Sequence, residues 1–104
     1  MNIEEFQNWN KEFYNKRSWD KYNSFIRMNF LCEEVGELSQ AIRKYEIGRD
    51  RPDEEEKSRS ENMQGIKEEI GDVIDNITVL INKYDLSLEE ILENHIKKIE
   101  SRFE

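Results

Sequence analysis

Apolar residues recur along this chain at intervals of three and four, and no segment alternates apolar with polar residues long enough to make a strand. The spacing predicts helices nearly everywhere. Ile3, Phe6, Trp9 and Phe13 mark a first helix over 3–16, and the pattern breaks around Ser18 to Ser24, where a short connection is expected. A second helix runs from 25 to 47 on a stripe of Leu31, Val35, Leu38, Ile42 and Tyr45. Arg43 and Lys44 suit the negative end of its dipole, and Gly48 supplies a stop. Residues 49–60 (RDRPDEEEKSRS) are mostly charged and hold the only proline, which predicts a solvent-exposed loop. A third helix over 61–84 carries Met63, Ile66, Ile70, Val73, Ile77, Leu80 and Tyr84. Ser87 with Glu90 forms a capping box that opens a fourth helix, continuing to about Phe103 through Leu88, Ile91, Leu92, Ile96 and Ile99. The expected fold is all-α: one domain over 1–104, a bundle of four to five helices.

Composition narrows the setting of that bundle. With 36% hydrophobic and 38% charged residues in 104, a lone copy buries little apolar area, so completion by a second or further copies (a homodimer or homotetramer) is expected. The net charge of −8 disfavours direct contact with nucleic acid or with an anionic membrane. The single Cys32 has no internal partner, and no apolar run approaches membrane-spanning length; both fit a cytoplasmic protein.

Candidate chemistry lies in a duplication. Glu33-Glu34-Val35-Gly36-Glu37-Leu38 is matched by Glu68-Glu69-Ile70-Gly71-Asp72-Val73. Carboxylates three apart share one side of a helix. If Val35, Leu38 and Ile42 form the inner face of the second helix, Glu34 and Glu37 flank it; Glu69 and Asp72 flank Ile70, Val73 and Ile77 of the third in the same way. Glu33 and Glu68 point further towards solvent. Four carboxylates brought together by two adjoining helices repel one another unless a cation lies between them. Hard oxygen donors without histidine or cysteine suit Mg²⁺, or Mn²⁺, rather than zinc. A di-iron carboxylate bundle wants Glu-x-x-His pairs, and this chain has only His95. Glycine at the matching positions Gly36 and Gly71 is unfavourable within a helix and suggests close approach of another helix there.

The paired hexads resemble the EExxE…ExxD signature of the MazG-type nucleotide pyrophosphohydrolases, within the all-α NTP pyrophosphatase superfamily, over about residues 19–103. The resemblance implies an oligomeric helical bundle that cleaves a nucleoside triphosphate to monophosphate and pyrophosphate with Mg²⁺. It implies Glu34, Glu37, Glu69 and Asp72 as metal ligands, with Glu33 a further ligand or an orienter of water. The family's C-terminal Asn-x-x-Lys-x-x-x-Arg-aromatic pattern falls on His95, Lys98, Arg102 and Phe103, which places Lys98 and Arg102 as phosphate contacts. Asn76, one turn after Asp72, and Trp19, where relatives carry an aromatic over the base, are the remaining substrate contacts it implies. Two alternatives stay open: phosphoribosyl-ATP pyrophosphohydrolase within the superfamily, and a non-catalytic helical dimer used in regulation or assembly.

Overall fold

The computed structural model describes residues 1–104 and contains no strand. Four helices follow the predicted order: α1 Ile3–Lys16, α2 Ser24–Ile47, α3 Arg59–Lys83 and α4 Leu88–Ser101, with a 3-10 turn at Trp19–Lys21. The chain is all-α, as its periodicity predicts. No helix is long and apolar enough to cross a membrane.

Four of the helix ends have a local cause in the sequence. Asn2 caps α1, its side-chain oxygen accepting from Glu5 N at 2.8 Å. Gly48 ends α2 in the left-handed region, φ 76°, with its N–H donating to the Lys44 carbonyl at 3.0 Å. Helix α3 starts two residues earlier than predicted because Ser58 and Glu61 form a reciprocal box. Glu61 N donates to Ser58 Oγ at 3.1 Å, and Ser58 N donates to Glu61 Oε1 at 3.3 Å. The same spacing opens α4, where Glu90 N donates to Ser87 Oγ at 3.2 Å.

The chain divides into two compact units, residues 25–76 and residues 1–24 with 77–104. In the first, Leu31, Leu38, Ala41 and Tyr45 of α2 are half-buried, as are Met63, Ile66 and Val73 of α3. Asn62 Nδ2 donates to the Lys44 carbonyl at 3.3 Å and ties the two helices together. The predicted inner faces need correction here. Val35 (49%), Ile42 (45%), Ile70 (44%) and Ile77 (41%) are exposed, so only Leu38 and Val73 of the two expected triads turn inward. The inward α2 positions 31, 38 and 45 keep a seven-residue spacing, and Val35 and Ile42 lie about 40° further round the helix. The apolar stripe is wider than the seam it makes within one chain.

Two further expectations change. Nothing lies within 4 Å of a Cβ built on Gly36 or Gly71, so no helix of this chain approaches closely there. The charged 49–60 segment is not all solvated. Glu54 turns inward to an ion pair with Arg43 at 3.4 Å, its side chain only 7% exposed, and this fastens the loop to the last turns of α2.

In the second unit the aromatic residues of α1 pack along one another, Trp9 and Phe13 with centroids 5.0 Å apart, and Val79 and Ile81 are buried. Its polar joint is Gln7. The Gln7 amide donates to Asn82 Oδ1 at 2.9 Å and to the Leu86 carbonyl at 2.8 Å, while Gln7 Oε1 accepts from Leu88 N at 2.9 Å. It thereby serves the chain leaving α3 and the first N–H of α4 together. Gln7→Ala is expected to cost about 1–3 kcal/mol, since it strips partners from partly buried groups. The measurement is the urea midpoint at constant m, and a midpoint equal to wild type would show that water replaces Gln7 without loss.

Candidate functional site

Three of the predicted carboxylates meet. Glu34 and Glu37 of α2 and Glu69 of α3 each offer an oxygen, and these oxygens all lie within 4.8 Å of one another. Glu34 and Glu37 project together because three residues on a helix nearly complete a turn. Glu34 and Glu69 are half-buried while Glu37 is exposed, so the trio lies where α2 and α3 meet solvent.

The energetic signature is a cluster short of positive charge. Glu34 Oε2 and Glu69 Oε2 are buried with no hydrogen-bond donor, a costly state for an ionised oxygen. Burial pushes the Glu34 carboxyl up from its ordinary 4.5 to about 7, with the charges of Glu37, Asp72 and Glu69 adding to it. Burial likewise raises Glu69, helped by Glu37 and Asp72. Asp72 is raised by burial and then by Asp75, Glu37 and Glu68, with a hydrogen bond to Glu69 acting the other way. Glu37 adds to the shift of all three. Converging hard oxygens with two orphaned lone-pair sets fit a divalent cation of the magnesium or manganese type. Glu34, Glu37 and Glu69 are the residues that would hold it, with Asp72 beside them.

The other predicted residues are distributed differently. Glu33 is exposed on α2. Asn76 is buried, and its amide donates to the Asp72 carbonyl one turn earlier at 2.8 Å. Trp19, Lys98 and Arg102 belong to the other compact unit. Trp19 is 44% exposed and sits edge-on to Tyr14, with centroids 5.6 Å apart; Lys98 and Arg102 are exposed at the end of α4.

Sequence reasoning passed over two cations. A cleft of about 300 Å³ in the 25–76 unit opens beside the acids and is lined by Glu37, Glu68 and Glu69 together with Lys44 and Lys57. Lys44 reads from sequence as a helix-end charge and Lys57 as one of many loop charges. The available signal was the seven-residue step from Glu37 to Lys44, two turns on one face.

Comparison with known proteins gives the family and the fold. Residues 26–104 match the family model described as the MazG nucleotide pyrophosphohydrolase domain, and the chain belongs to this family. The Bacillus subtilis (strain 168) protein YvdC, itself uncharacterised, is 53% identical over 104 residues, spanning 100% of this chain and 98% of that one. YpjD of the same organism, also uncharacterised, is 32% identical over 81 residues, 78% of this chain and 68% of its own length. The crystal structure of B. subtilis YpjD, provisionally designated a pyrophosphatase, superposes with a TM-score of 0.74 at 23% identity, covering 98% of this chain and 96% of that one. That likeness establishes the fold.

Proposed function

We propose that this chain is a magnesium-dependent nucleoside triphosphate pyrophosphohydrolase, converting an NTP or dNTP and water to the monophosphate and pyrophosphate. The observation that carries the reading is the pair of buried, donorless oxygens on Glu34 and Glu69, converging with Glu37. Family membership supplies the reaction class. Magnesium, when bound, offsets phosphate charge and acidifies a water at neutral pH. The protein's own part is to bring Glu34, Glu37, Glu69 and Asp72 together, ready to give up any shared proton when the ion binds. Glu33, exposed next to Glu34, is assigned to orienting the attacking water or to a second ion. Lys98 and Arg102 are assigned to phosphate oxygens, and Asn76 and Trp19 to the nucleoside. A reducing cytoplasm, in which the lone Cys32 stays a thiol, suits an enzyme that clears aberrant nucleotides. The test is a nucleotide panel with Mg²⁺ or Mn²⁺, monitoring pyrophosphate. Release from at least one triphosphate, abolished by chelation, is expected; no release from any of them would end the reading.

The active form is proposed to be a homodimer or homotetramer. Val35, Ile42, Ile70 and Ile74 of the 25–76 unit are each 44–49% exposed, more aliphatic surface than such a small unit keeps in water at little cost. Gly36 and Gly71, uncovered within the chain, leave room for a second copy. Solution mass should therefore exceed the 12.6 kDa of one chain. Ile74→Glu, which places a charge on that face, should return it to the monomer. A wild-type monomer at micromolar concentration would overturn the assignment.

A further inference from the structure

We propose that Lys44 and Lys57 bind the pyrophosphate end of the substrate, forming with the acid cluster a phosphate site contained within residues 25–76. This rests on the pyrophosphohydrolase reading and adds to it residues that the sequence motifs do not include. Both lysines line the same cleft as Glu37 and Glu69. Neither ammonium forms an ion pair within 4.0 Å, although Glu37, Glu61, Glu68 and Glu69 share the cleft with them; the nearby Arg43, by contrast, is paired with Glu54. Cations that merely neutralised this wall would close onto its carboxylates. These stand apart from them, which leaves room for an anion between.

The placement of each lysine has a structural cause. Lys44 lies two turns after Glu37, a rise of about 10 Å. A helical side chain leans towards the N-terminus of its helix, so its stem reaches back along the cleft wall towards Glu37. Lys57 comes from the 48–58 connection, between two points at which that connection is held. The Arg43–Glu54 pair anchors it to α2, and the Ser58–Glu61 box joins it to the start of α3. Proline at 52 and these two anchors turn a charged loop into a strap that delivers one cation to the cleft. The lining includes no aromatic ring, only charged and amide side chains besides Ala41 and Gly65. That chemistry takes phosphates rather than a base, and two compact ammonium groups suit the non-bridging oxygens of a terminal pyrophosphate.

The experiment measures steady-state hydrolysis of a dNTP at saturating Mg²⁺, together with product inhibition by inorganic pyrophosphate. Lys44→Met and Lys57→Met are each expected to raise KM and the pyrophosphate inhibition constant about tenfold, with a much smaller change in kcat. Lys57→Arg should recover most of the loss. Lys67→Met, an equal charge change on an exposed α3 lysine outside the cleft lining, should stay within about twofold of wild type. An unchanged pyrophosphate constant in both cleft variants, or the same shift in Lys67→Met, overturns the proposal. Glu37→Gln separates the two levels. If it is inactive while the lysine variants match wild type, only the lysine assignment falls; if it turns over like wild type, the acid-site reading falls and takes this one with it.

Discussion

Glu37→Gln is expected to lower pyrophosphate release at least about a hundredfold, beyond what loss of a merely supporting contact to a metal ligand costs, while the protein stays folded. Glutamine keeps the shape and one acceptor oxygen but removes the charge. Glu37 is the exposed member of the trio and the neighbour common to Glu34 and Glu69, whose buried oxygens have no donor of their own. Taking its charge away relieves repulsion in the metal-free protein, so the variant should melt no lower than wild type without Mg²⁺. It should also gain less from Mg²⁺. Loss of turnover with gain of metal-free stability is the combination that a site role predicts and a packing role does not. Asp72→Asn is expected to act in the same direction with a smaller loss, because Asp72 lies outside the close trio. Full turnover by both variants would refute the assignment of these carboxylates.

What the sequence made legible depends on how local the cause is. Helix positions were readable because periodicity, Gly48 and the Ser87–Glu90 spacing act within a few residues. The start of α3 was equally local: Ser58-x-x-Glu61 has the spacing of Ser87-x-x-Glu90, and the charge run preceding it masked the signal. The duplicated hexads revealed the acid trio, since repeated carboxylates at helical spacing have few reasons to match. Which edge of a wide apolar stripe turns inward was not legible. Val35 and Leu38 are both plainly hydrophobic, and only the folded arrangement distinguishes the half-buried Leu38 from the 49% exposed Val35. The Arg43–Glu54 anchor and the Gln7 joint were also hidden. Each joins residues distant along the chain through polar side chains whose composition announces only surface.

The metal-free protein should lose stability as pH rises from about 4.5 to about 7, and Mg²⁺ should cancel that loss. Glu34 has an ordinary value of 4.5 and is raised to about 7, chiefly by burial, so the folded state holds a proton that the unfolded chain has released. The stabilisation this proton gives is complete below 4.5 and is lost as pH climbs through about 7; Glu69 and Asp72 are raised as well and act with the same sign. A divalent cation takes the proton's place only once the carboxylates are ionised, so metal binding strengthens over the same interval. At a hundred times its dissociation constant a ligand contributes about 2.7 kcal/mol, which for a domain of this size raises the melting point by roughly 10 °C or more. The melting-point gain from Mg²⁺ should therefore be small at pH 5 and close to full at pH 8. Glu34→Gln, which removes the most strongly shifted group, should flatten the metal-free slope and shrink the gain at pH 8. Equal gains at the two pH values, or an unchanged slope in Glu34→Gln, would show that these acids do not hold the ion.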